Sequence, residues 1–286
     1  MTDRVAPNST QVDLATTHGA RARGPTRRTL LAASLAALLV ACMAPEEKRG
    51  FITPARSNQG DGVAPLVVTS DLDNLPFAGV DENGKPIGRD VEMMEALAAA
   101  LGRPVEWKRS PFETLLPAAH GGFVDVVCAT LGITPERKQK VAFTRPYFKT
   151  VIHVVVRAGE GEARGWSDLY GRPVAASIDT TSERAVRQIL PGATLVLENK
   201  EALGAAERLL LGEVDGVAMD GPAAEKVVRE SGGALTLIEP PLTSEHYALA
   251  LPKDRVQLLA ELNALLARFE ANGQLDAWNR RWGLAR

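Results

Sequence analysis

Two charged residues stand where an apolar run gives way to a helix start. Arg137 lies in "CATLGITPERKQKVAF", residues 128–143, three residues after Thr134. Asp220 closes "VDGVAMD", and Gly221 and Pro222 follow it. A guanidinium can grip a carboxylate through two parallel N–H donors. A carboxylate can receive an ammonium group. Each residue also has a plainer use. Arg137 could be the third residue of an exposed helix, and Asp220 could be a helix N-cap. Spacing alone leaves the choice at Arg137 open. Thr180 to Glu183 fits a capping box, and the helix amides near Thr181 would also suit a carboxylate.

Other chemistries find no support. The 286 residues carry a net charge of −2, which gives no global pull toward nucleic acid or an anionic membrane. Two cysteines form no CxxC pair, the four histidines form no HExxH helix, and neither GxGxxG nor GxxxxGK[ST] occurs. No cofactor is expected.

The elements that must position these residues alternate. An apolar strand over 64–70 ends in Asp71. A helix follows over 88–102, with Asp90 as a plausible N-cap and Val91, Met94, Ala98 and Leu101 at helical spacing. Strands are expected over 104–110 and 124–130, with a short helix from Phe112 between them. Thr134 caps the next helix and Pro135 takes its first turn. A long β-branched run covers 150–159. The alternation then restarts, with strands over 172–177, 193–198, 214–220, 234–239 and 246–253 and helices over 180–190, 201–213 and 222–233. Two helices close the chain, with Val256, Leu259, Leu262 and Leu266 recurring at three and four. Such alternation predicts mostly parallel sheets flanked by helices, in two α/β lobes. Ligands of such sheets bind outside the carboxyl ends of the strands. Asp71, 110–112, 130–132, 179–182 and Asp220 are therefore the positions to watch.

The front of the chain reads as an export device. Arginines at 4, 21, 23, 27 and 28 precede "LLAASLAALLVAC", residues 30–42, which is short of the roughly 20 residues of a membrane span. "LVAC" resembles a lipoprotein lipobox with Cys42 as the lipidated residue, and "TRRTLL" resembles a twin-arginine signal. Residues 1–41 would be the signal peptide and 42–63 a lipidated, flexible tether. Cys128 would then have no partner and serve as a small buried apolar residue.

Five motifs in order resemble the polar amino acid group of the extracytoplasmic solute-binding proteins of ABC transporters. They are "VTSDLDNLPFAGVDENGKPIGRDVEMMEALA", "VDVVCATLGITPERKQKVAFTRPYF", "LYGRPVAASIDTTSE", "GEVDGVAMDGPAA" and "ANGQLDAWNRRWG". The resemblance covers 66–283. It implies a two-lobed periplasmic-binding-protein fold (type II) joined by two crossover strands, at 150–157 and 246–251. Lobe 1 would be 64–153 plus 249–286, and lobe 2 would be 154–248. It assigns the ligand carboxylate to Arg137 and the ligand ammonium to Asp220. Thr130 and Gly132 would face the ligand from the turn after the third strand. Asp71, Asn74 and Phe112 would line the side-chain pocket, and Thr180 and Thr181 would add contacts from the second lobe.

Three pocket positions depart from the pattern: Asn74 replaces an aromatic, Gly132 a Ser or Thr, and Asp179 a glycine. Arg89 replaces a phenylalanine. His153 and His246 fall in the crossover strands, as hinge or surface residues. The function implied is the binding component of an ABC importer, a monomer serving a permease and its ATPase, outside the cytoplasm and touching the membrane only through its lipid. Two alternatives stand beside it. One is a cyclohexadienyl dehydratase-like enzyme using a carboxyl of Asp71, Asp179, Glu183 or Asp220. The other is a ligand-binding sensor, against which the chain's end soon after the closing helix speaks.

Overall fold

The computed structural model describes residues 63–159, 161–199 and 204–284. The export signal, Cys42, the tether except Val63, and residues 201–203 of an expected helix lie outside them.

Two five-stranded sheets organise the described chain. In the first, β1 (Leu66–Ser70) lies parallel between β4 (Val105–Arg109) and β5 (Val126–Val127). β12 (Ala250–Leu251) then runs antiparallel to β5 and to β6 (Ala142–Phe143). Alternate residues of its strands face opposite sides, as a pleated strand requires. Leu66, Val68, Val126 and Cys128 pack on α1 (Arg89–Ala100), α7 (Val256–Ala271) and α8 (Gln274–Arg281). Val67, Val127 and Ala129 face α2 (Phe112–His120) through Leu115 and Ala119. A hairpin of β2 (Gly79–Val80) and β3 (Pro86–Ile87) precedes α1.

The second sheet repeats the plan. β8 (Pro173–Ser177) lies parallel between β9 (Thr194–Glu198) and β10 (Gly216–Asp220). β7 (Phe148–Arg157) and β11 (Leu235–Tyr247) continue it antiparallel. Val154, Val174 and Ala176 pack on α4 (Thr181–Ile189), while Val155, Ala175 and Val217 pack against α5 (Ala205–Leu210) and α6 (Gly221–Glu230).

β7 and β11 are the strands by which the chain passes between the two sheets, paired from Phe148 with Tyr247 to Arg157 with Leu235. The separate strands expected at 234–239 and 246–253 are divided differently. β11 runs unbroken through Tyr247, with a register shift between Ile238 and Thr243, and β12 is a short strand of its own. His153 is neither surface nor free-standing: it is 3 % exposed and pairs with Met219. His246 is exposed opposite Lys149, and Cys128 is buried as expected.

Other expectations change at helix ends. Asp90 does not cap α1. Gly88 precedes the helix with φ 134, and a side chain there would meet the Phe77 carbonyl oxygen at 2.2 Å. Asp90 lies inside the first turn and joins Arg89, both fully buried, in a hydrogen-bonded network. Arg89 donates to Asp90 Oδ1 at 2.9 Å, Asn279 Oδ1 at 3.0 Å and the Tyr147 carbonyl at 3.3 Å. The Tyr147 hydroxyl donates to Asp90 Oδ2 at 2.5 Å. This is the account of Arg89: it ties α1 to α8 and to the start of the crossover ribbon. In α7 the buried stripe is Leu258, Leu262, Leu266 and Phe269, and Val256 points to solvent.

Candidate functional site

Among the parallel strands of each sheet the first, β1 or β8, sits between the next two, so the two connections leave in opposite directions. That reversal opens a crevice at the strand carboxyl ends. Asp71 and 130–132 lie there in the first sheet, and 179–181 and Asp220 in the second.

Arg137 joins the two crevices. Thr134 caps α3 (Pro135–Lys140), accepting from the Arg137 N–H at 3.2 Å, and Pro135 opens the helix as its fixed φ favours. The arginine side chain turns back instead of into solvent. Its Nη1 donates to the Gly132 carbonyl and its Nη2 to the Asp179 carbonyl, both at 2.8 Å. One acceptor comes from each sheet. The guanidinium carbon stands 5.8 Å from the Phe112 ring centroid, in cation–π range. Arg137 is 9 % exposed, so the reading as an exposed helix residue is excluded. Burial pulls its pKa down, against Glu245, Asp220 and Asp179, and a guanidinium stays charged throughout.

Two residues around the clamp adopt left-handed backbone, Thr130 with φ 47 and Asp179 with φ 60. A β-branched threonine there is an outlier, of the kind that collects at working sites. The Thr130 hydroxyl accepts from Asn74 Nδ2 at 2.9 Å, so the residue replacing an aromatic braces the turn after β5. At Asp179 the positive φ suits the glycine that the resemblance implied there, and aspartate is among the few residues that tolerate it. Its N–H donates to Glu183 Oε2 at 2.8 Å. The Thr180 hydroxyl serves the cap, accepting from the Glu183 N–H and donating to the Ser177 carbonyl at 2.6 Å. Asp71 is buried at the end of β1, its carbonyl accepting from Arg109 Nε at 3.1 Å. Asp220 holds the N-cap position of α6 yet makes no side-chain capping bond. Its charge is felt at Arg137, Glu245 and Tyr247. At the rim, Arg184 of α4 donates to Glu136 of α3, which holds the Glu136 carboxyl down at about 2.

Gly132 touches a residue that the sequence reading missed. A Cβ at Gly132 would fall 1.6 Å from Glu245 Oε1 and 2.8 Å from Thr181 Cγ2. Glu245 therefore occupies the space that a serine or threonine side chain would take. Its strand is pinned over the turn by the Gly132–Tyr247 bridge, and the Ile133 N–H donates to the His246 carbonyl at 3.2 Å. A charge at an inward position of an apolar strand, two residues before Tyr247, was the signal available. Glu245 and Thr181 also line a cleft of about 490 Å³ beside the α3 and α4 starts. A larger cleft of about 1140 Å³ lies between α6, α8 and the crossover ribbon, and none of the expected ligand residues lines it.

Residues 66–285 match the bacterial extracellular solute-binding proteins, family 3. The chain belongs to that family. Like its relatives it is an exported solute-binding protein. It is 26% identical over 251 residues to the L-cystine-binding protein TcyJ of Escherichia coli K12, covering 87% of this chain and 94% of TcyJ. A solved ancestral arginine-binding protein bound to arginine shares 31% identity at a TM-score of 0.70, over 76% of this chain and 97% of that one. A second ancestral structure, AncCDT-1, is described as an amino acid-binding protein and a precursor of cyclohexadienyl dehydratase. It shares 30% identity at a TM-score of 0.68, over 76% of this chain and 94% of that one. TcyJ and the arginine-bound ancestor are named for binding, and AncCDT-1 is named as an amino acid-binding precursor of an enzyme. The solute-binding protein described here thus has the two-lobed α/β fold that the motifs implied, and the dehydratase alternative gains less support than the binding function.

Proposed function

We propose that this protein captures an amino acid zwitterion between its two lobes and delivers it to an ABC permease and its ATPase. Lobe 1 is 64–153 plus 249–286, and lobe 2 is 154–248. The observation that carries this reading is the Arg137 guanidinium, buried between the strand ends of both sheets and holding one carbonyl from each. A carboxylate entering there meets a charged donor already oriented, with Thr181 at the α4 start beside it. Asp220 receives the ammonium from the opposite strand end. Phe112, Asn74, Thr130 and Asp71 form the first-lobe wall, Gly132 adds backbone only, and Thr180 fixes the α4 start. Because the ligand joins groups from both lobes, its binding energy favours the closed form. The protein works as a monomer, exported by the twin-arginine route and anchored through a lipid on Cys42.

Calorimetric titration with the common amino acids tests this. At least one should bind, and Arg137→Ala should weaken it by about 2–5 kcal/mol, the loss expected for one partner of a desolvated charged pair. No binder in the panel, or unchanged affinity in the variant, contradicts the reading.

A further inference from the structure

Glu245 is buried at 7 % exposure on β11, aimed at the turn after β5. Neither carboxylate oxygen has a partner in good hydrogen-bonding geometry, although the Thr181 hydroxyl lies close enough to favour the charged form. Arg137 stands nearby but directs both Nη groups to main-chain carbonyls. A buried carboxylate so thinly supported is costly and calls for a partner. The groups facing it are Arg137 from α3, Asp220 from the end of β10, Thr181 from α4 and Tyr247 from its own strand.

We propose that Glu245 is a further ligand-contact residue, which together with Asp220 receives a positively charged nitrogen of the ligand. This rests on the amino acid-binding function proposed above and adds to it a second acceptor and a proton. Glu245 is buried and feels the Asp220 charge, and two neighbouring carboxylates of which one is desolvated do not readily both ionise. Burial first, then Asp220, push the Glu245 carboxyl up to about 8, with Thr181 and Arg137 acting the other way. The Tyr247 phenol is pushed up by burial and by both acids, so it stays neutral. Near neutral pH the empty pair therefore holds a proton, and the cationic nitrogen replaces it. The sign follows: a group that must lose its proton to bind gives affinity that rises with pH up to about 8, by at most about tenfold per pH unit.

The test is calorimetric titration of the exported protein at pH 7 with L-arginine as the probe, in two buffers of different ionisation heat. Roughly one proton should leave per ligand bound. Glu245→Gln should abolish that release and weaken binding by at least about tenfold. A Glu245→Gln protein that binds with unchanged affinity and unchanged proton release overturns this inference alone. If neither arginine nor any other amino acid gives heat with the unaltered protein, the amino acid-binding function fails and this inference with it. Circular dichroism checks the variant's fold. Should it not fold, the unaltered protein decides, and an affinity that is flat between pH 6 and 8 without proton release overturns the inference.

Discussion

Gly132→Ala isolates the contact on which the site's geometry depends. Gly132 has no positive φ, so alanine meets no backbone strain there. Space is the obstacle. The new Cβ would lie 1.6 Å from Glu245 Oε1, 2.7 Å from Glu245 Cδ and 2.8 Å from Thr181 Cγ2. The glutamate must swing away from a position where its strand is held by the Gly132–Tyr247 bridge. Overpacking of this kind costs about 1–3 kcal/mol. Against it stands a gain of about 0.4–1 kcal/mol from the stiffer unfolded chain. The net expectation is a loss of about 1–2 kcal/mol in urea unfolding without ligand. With the glutamate removed, most of the clash disappears. In a Glu245→Ala background the same substitution should therefore be nearly neutral, a coupling of about 0.5–3 kcal/mol for residues in contact. Equal effects in both backgrounds, or a Gly132→Ala protein as stable as the parent, would refute the packing argument.

Two further outcomes follow from the structure. Arg89→Ala strips a fully buried Asp90 of its cation and should destabilise the protein by about 3–5 kcal/mol in thermal or urea unfolding. Burial already holds the Asp90 carboxyl above its usual range against Arg89, so the deficit should shrink as pH falls toward the unfolded carboxylate value and Asp90 protonates. Glu136→Gln breaks the exposed Arg184 pair at the cleft rim, and stopped-flow release should quicken by less than about tenfold, more at low salt than at high.

Much of the fold could be read from the sequence because its signals are local. The strand–helix alternation, the Thr134–Pro135 start of α3 and the capping role of Thr180 all depend on neighbouring residues. What stayed hidden depends on distant ones. Arg89 gave no reason for itself, since Asn279 lies 190 residues away. β11 read as two strands, and Pro240 and Pro241 sit between those two stretches. Proline lacks the N–H a ladder needs, but β11 is an edge strand, where a register shift can absorb the break. Splitting that strand at His246 hid Glu245, and with it the physical reason for the bare Gly132. Asp90 looked like an N-cap because aspartate favours that role, whereas Gly88, with positive φ, turns the chain two residues earlier. The clamp was legible as a residue type and a spacing. Its double grip on Gly132 and Asp179 required the sheets to be brought together.

The most direct measurement is a crystal structure of the exported protein with the amino acid that binds it in titration. The ligand carboxylate should lie on the Arg137 guanidinium and the ligand's charged nitrogen at Asp220 and Glu245. A ligand seated away from Arg137, for instance in the larger cleft between α6 and α8, would contradict that placement.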